Sequence, residues 1–97
     1  MSAQPKDSLL SGALKPNANV LFRRLGDEIV LFHLGSDRFY ELNGTAARFW
    51  ELLDAGNDAT QIQEKMLSEF EIDSEQFASE AEALLESLRQ ENLIVDE

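Results

Sequence analysis

The chain holds one histidine, His33, and no cysteine. A single imidazole without a thiol, and without a Gly-x-Ser-x-Gly turn, does not make a nucleophile and base pair. A lone strand histidine is more often a packed or surface residue than a catalyst. The carboxylates are numerous but scattered along helix-like segments, and no second histidine completes a metal-ligand spacing. The stretch nearest to a calcium loop, EIDSEQF (Glu71 to Phe77), lacks the central glycine such a loop needs. No glycine-rich phosphate loop is present. These residues predict a protein that is not an enzyme, with no metal and no cofactor.

Charge narrows the partners. Residues 1–48 carry six Lys/Arg and five Asp/Glu, a net of +1. Residues 49–97 carry two Lys/Arg, Lys65 and Arg89, and fourteen Asp/Glu, a net of −12, so the whole chain stands at −11. Such an acidic half repels phosphate backbones. A helix-turn-helix reading of the last two helices fails on the same ground. From Ser74 to Glu91 there is one basic residue, Arg89, against Glu75, Glu80, Glu82, Glu86 and Glu91. That sign is wrong for a major groove. Nucleic acid is therefore not expected as a partner.

What remains is surface for another chain, and RFYELNGTAARFW (Arg38 to Trp50) is where it concentrates. Its first part suits a strand, and its second part suits a helix. An edge strand offers unpaired amides and carbonyls. An extended peptide can add there, with backbone bonds for affinity and alternate side-chain pockets for specificity.

The elements that must position this junction follow from periodicity. Val20–Arg24, Glu28–Leu34 and Arg38–Leu42 read as three strands. Gly26-Asp27 and Gly35-Ser36-Asp37 supply the turns. Connections this short force an antiparallel meander. Pairing Leu34 with Phe39 would set His33 opposite Tyr40 and Leu31 opposite Leu42. Ile29, Leu31, Tyr40 and Leu42 then share one face, and Val30, Phe32, Phe39 and Glu41 the other. Helices can cover only one face of so small a sheet. The other needs the N-terminal segment with Leu9, Leu10 and Leu14, a second copy in a homodimer, or an outside partner.

Ala46, Phe49, Trp50 and Leu53 fall at helical spacing, so Asn43 reads as an N-cap and Gly56 as the stop. A second helix is expected from Thr60 to Phe70, with Thr60 and Gln63 at capping-box spacing and Ile62, Met66, Leu67 and Phe70 on its apolar face. The third begins at the Asp73/Gln76 cap and runs to about Glu91. It buries Phe77, Ala81, Leu84, Leu85 and Leu88. Asn92 marks a left-handed stop, after which Leu93 and Ile94 fold back on the core. Segregated strands and helices make the fold α+β. Residues 1–18, with Pro5 and Pro16, read as a flexible tail before a single domain at 19–97.

No run of about 18 apolar residues spans a membrane. The first fifteen residues lack a signal-peptide pattern, so the cytoplasm is the default. Asn43-Gly44-Thr45 fits the N-glycosylation pattern by chance in that setting.

The run EIVLFHL…RFYELNGTAARFWELLDAG, followed by the spaced apolar residues before Ile72-Asp73 and by LLESLRQENLI, resembles the PqqD-like family. This family is named for pyrroloquinoline quinone biosynthesis protein D. It is known also as the recognition element of ribosomally made, post-translationally modified peptides. The resemblance covers roughly residues 18–95. Its most specific part is aromatic-x-Leu-Asn-x-x-Ala-Ala-x-aromatic, from Tyr40 to Phe49.

The resemblance implies a winged-helix-like domain of three strands and three helices. It implies a peptide chaperone that binds the leader segment of a precursor peptide as an added strand. The leader is then presented to a modifying enzyme, often a radical S-adenosylmethionine (SAM) protein, or to a leader protease. The groove lies between the third strand and the last helix. Carried onto this chain, it comprises Arg38, Phe39, Tyr40, Glu41 and Leu42, with Ala81, Leu84, Leu85 and Leu88 as helix candidates. Two positions depart from the family pattern. Asp37 and Asn92 stand where many members have glycine. A structural or regulatory interaction domain, self-associating and without a precursor peptide, is the alternative reading.

Overall fold

The computed structural model describes residues 14–96. Strands β1 (Leu14–Pro16), β2 (Val20–Leu25), β3 (Glu28–His33) and β4 (Arg38–Asn43) are followed by helices α1 (Gly44–Asp54), α2 (Ala59–Glu69) and α3 (Ser74–Gln90). A last strand, β5, spans Ile94–Asp96. The order β2-β3-β4 makes one antiparallel sheet, and β1 pairs with β5 in a second. The architecture is the expected α+β arrangement of a three-stranded meander and three helices.

The central strand anchors the core. Ile29 and Leu31 are fully buried against Trp50 and Phe49 of α1 and Leu85 of α3. Phe22 meets the Trp50 ring edge-on at 5.8 Å. The two sheet faces divide as the alternation requires. Ile29, Leu31 and His33 point inward, whereas Leu21, Leu25 and Phe39 on the other face are more than half exposed.

The register differs from the expected one by two residues. His33 pairs with Arg38, Leu31 with Tyr40 and Ile29 with Leu42. The reason lies at Leu34, whose amide turns away from β4 and donates to Asn19 O at 2.8 Å. The turn then spans Leu34–Asp37 and closes with Asp37 N donating to His33 O at 2.8 Å. A shift of two keeps every side chain on its face.

The cap of α1 also differs. Asn43 occupies the N-cap position with an extended backbone (φ −136°), but its side chain makes no cap hydrogen bond. The turn into the helix is made by Gly44, at φ +55°. The capping box of α2 sits two residues before the expected pair. Asp58 Oδ1 accepts from Gln61 N at 2.8 Å, and Asp58 N donates to Gln61 Oε1 at 3.0 Å. Asp outranks Thr at this position, and it sets the helix start at Ala59. The Asp73 cap on Gln76 N is as expected, at 2.7 Å.

Asn92 is left-handed (φ +58°), and Leu93 and Ile94 return to the core, as expected. The return continues as β5, which the residues alone did not suggest. Leu14 of its partner β1 packs against the core and not on the outer sheet face. Leu9 and Leu10 lie outside the described residues.

Backbone conformation supplies a first test. Asn92→Gly removes the left-handed penalty of a residue with a Cβ and should stabilise by about 0.5–1 kcal/mol. Gly44→Ala imposes that penalty and should destabilise by about 1–2 kcal/mol. Thermal unfolding followed by circular dichroism reads both, at roughly 4–8 °C per kcal/mol in a domain of this size. Equal melting temperatures for all three proteins would contradict the account.

Candidate functional site

The His33 side chain builds the turn that launches β4. Its Nδ1 accepts from Gly35 N at 3.0 Å and from Ser36 N at 3.3 Å. The imidazole is therefore an acceptor at Nδ1, with its proton on the buried Nε2. It also covers Gly35 so closely that an added Cβ would stand 2.9 Å from Cε1. His33 is a structural residue here. Asp37, left-handed at φ +61°, completes the turn and delivers the chain into Arg38.

Backbone polarity of β4 follows from the same geometry. Leu34 donates toward β2, so residues 28, 30 and 32 of β3 also direct their backbone groups to β2. Ile29, Leu31 and His33 direct theirs to β4, and engage Leu42, Tyr40 and Arg38. The backbone groups of Phe39 and Glu41 point to the outer edge, where no described strand pairs with β4.

Where β4 runs into α1 an apolar cleft opens among α1, α2 and α3, and Tyr40 ties the strand to the end of α3. At one end the Tyr40 hydroxyl donates to Glu91 Oε1 at 2.8 Å, with Arg38 Nη1 at 3.8 Å from the same oxygen. At the other end a cavity of about 90 Å³ opens among Ala46, Phe49, Phe77, Ala81 and Leu84. Tyr40 and Leu42 are half-buried on the cleft side, while Phe39 (70% exposed) and Glu41 face outward.

The structure thus places Arg38 to Leu42 together on the edge strand β4, where Phe39 and Glu41 carry the backbone groups that no described strand pairs. Of the helix candidates, Leu84 is half-buried and lines the cavity. Ala81 lines it from a buried position. Leu85 and Leu88 are 0% and 2% exposed and belong to the core. Residue reading missed Glu91 and the cavity wall from α1. Phe49 was recognised only as a core residue, and nothing in its spacing separates a cavity wall from a core.

The platform is braced by charge. Arg48 bonds Glu69 through Nε (2.8 Å) and Nη2 (3.0 Å) and reaches Glu51 at 3.2 Å, and Arg24 joins Glu51 at 3.0 Å. This chain of ion pairs ties β2, α1 and α2. Among the described residues no three His, Cys, Asp or Glu side chains converge on a metal position. No helix among them is long and apolar enough to cross a membrane.

The bidentate hydrogen bond from Arg48 holds the Glu69 carboxyl below its usual 4.5. Its folded value lies under its unfolded one, so the pair stabilises fully above the unfolded value. That contribution is lost as pH falls through the depressed folded value. Arg48→Met should therefore cost stability at pH 7, and its difference from the parent should shrink by pH 3. The pair is partly exposed, so about 0.2–1 kcal/mol is at stake. Urea midpoints at the two pH values measure it.

The family model of coenzyme PQQ synthesis protein D (PqqD) matches residues 28–94. No curated protein sequence matches the chain. Among solved structures, TbiB1 in complex with the TbiA(beta) leader peptide superposes with a TM-score of 0.79. It is 25% identical, over 82% of this chain and 93% of that one. Lasso peptide synthetase B1 complexed with the leader peptide superposes at 0.77, with 20% identity over 86% of this chain and 98% of that one. The matched span includes β3, the β4 edge, the Tyr40–Phe49 run and all of α3, and on that match the chain belongs to the PqqD family.

Proposed function

We propose that the protein binds the leader segment of a ribosomally synthesised precursor peptide as an added strand along β4 and presents it to a modifying enzyme. The modifying enzyme is a radical SAM protein or a leader protease, and this chain itself performs no chemistry. One observation carries the reading: the backbone groups of Phe39 and Glu41 face an edge that no described strand pairs, on a strand that runs into α1 where an apolar cleft opens among the helices. Membership of the PqqD family and the likeness to TbiB1, solved with a leader peptide, support it. The reading places the protein in the cytoplasm, where the precursor is made.

Edge addition asks little of the scaffold. The amides and carbonyls are already aligned, so the peptide supplies the ordering cost. Presentation needs a second surface. The outer sheet face offers one, with Leu21, Leu25 and Phe39 exposed and the tilted rings of Phe32 and Phe39 in contact, their centroids 4.6 Å apart. If the peptide adds as a strand, every second side chain points to that same face.

The test separates edge, cleft and outer face. Glu41→Pro removes an edge amide without touching the β3 ladder, and edge strands tolerate proline. It should weaken a cognate leader about five- to tenfold, the worth of roughly one net hydrogen bond. Leu84→Glu should weaken it by a similar factor or more. Leu21→Glu should leave leader affinity unchanged while lowering enzyme-dependent modification of the precursor. A folded Glu41→Pro protein, checked by circular dichroism, that binds a cognate leader like the parent would place the site elsewhere.

A further inference from the structure

The chemistry of the bound segment can be read from what surrounds the free edge, if that edge is the peptide site proposed above. At the end of β4 the cavity is walled by Ala46, Phe49, Ile72, Phe77 and Leu84. Its volume is about 90 Å³. On a scale where one water needs about 10–15 Å³, this admits one branched aliphatic side chain or the stem of a long one. The one charged group lining it is Glu80. Glu80 is exposed, and Gln76 Nε2 donates to its Oε2 at 3.0 Å.

The same stripe of α3 ends at Glu91. Eleven residues of helix separate the two glutamates, roughly 16 Å at about 1.5 Å per residue. That is the length of about five extended residues. The two ends are not alike. Glu91 is already engaged by the Tyr40 hydroxyl and faces Arg38. Among the described residues Glu80 bonds to the neutral amide of Gln76 and to no cation. On the outer side of β4, Glu41 is exposed and has no ion-pair partner among the described residues either. A strand that lies along β4 and continues to the cavity meets Glu41 on the outer sheet face and Glu80 at the cavity, two carboxylates without an ion-pair partner among the described residues. The whole chain, at −11, draws in positive charge and repels negative.

We propose that the segment this protein accepts is cationic and apolar-anchored. An aliphatic side chain fills the cavity beside Phe49 and Leu84, and a Lys or Arg within about three residues of it meets Glu80 or Glu41. A long basic side chain satisfies both features at once, with its stem over the apolar wall and its head at Glu80. Opposite charges across neighbouring strands stabilise the pairing, and like charges oppose it. An acidic segment is thus refused by the same surface that takes a basic one.

The experiment selects a displayed library of random ten-residue peptides on the full-length protein. Enriched sequences should carry an excess of Lys and Arg close to an aliphatic residue. Their affinity should fall about threefold to tenfold with Glu80→Lys, an exposed substitution that circular dichroism can confirm as folded. It should fall again when salt is raised to about 0.5 M. Neutral or acidic sequences that still lose binding with Glu41→Pro would overturn this inference and leave strand addition standing. No enrichment, or enrichment indifferent to Glu41→Pro, would overturn both.

Discussion

The three described helices, of 11, 11 and 17 residues, cover one face of a three-stranded sheet. That limit organises the molecule. β3 is central and feeds Ile29 and Leu31 into a core with Trp50, Phe49 and Leu85, none of them more than 2% exposed. Burial of this kind, at about 25 cal/mol per Å², is the main force holding the domain together. Among the described residues no further helix remains for the second face or for the β4 edge. Leu21, Leu25 and Phe39 stay exposed, and no described strand pairs with the backbone of Phe39 and Glu41. The surfaces available for partners are those that the small core leaves uncovered.

An open edge is useful for recognition only if it is held straight and in place, and the devices that hold β4 are local. His33 caps its own turn through Nδ1, and Gly35 is the residue that leaves room for the ring. Asp37 accepts a left-handed conformation to enter the strand, and Gly44 accepts one to leave it for α1. Tyr40 is tied by its hydroxyl to Glu91 at the C-cap of α3. Both ends of the strand and its middle are thereby fixed to the core, while its outer edge remains free. An added strand meets an ordered template, so the entropy of ordering falls on the peptide alone.

Acidity is not a uniform coat. Near the core, Glu51 and Glu69 are neutralised by Arg24 and Arg48 and brace β2 against the helices. Glu91 is used to fasten β4. Among the described residues Glu41, on β4, and Glu80, at the cavity, have no such cation. The same residue type thus stiffens the platform in one place and leaves an unsatisfied field in another. What separates the two cases is whether an arginine lies within reach.

The residues by themselves determined the α+β class, the three-strand meander, the three helices and the division of the sheet faces. Each of these follows from a short-range period, of 2 for Ile29-Leu31-His33 or 3.6 for Phe77-Ala81-Leu84-Leu88. Local signals were also enough for the Asp73 cap and for the left-handed stop at Asn92. The run of five residues from Arg38 to Leu42 was legible as a strand next to a helix start. Tertiary structure decided the rest, because the rest depends on partners distant in sequence. Leu34 chose Asn19 over Phe39 and moved the register by two. Strand β1 exists only because Leu14–Pro16 finds Ile94–Asp96, some 80 residues away. One apolar stripe on α3 was split by packing, with Leu85 and Leu88 sealed in the core and Leu84 left at the cavity. Glu91 found Tyr40 across 51 positions of chain, for which a helix period carries no sign. Periodicity records which face of an element is apolar. Only the fold decides which part of that face is covered by the protein itself and which is left for another chain.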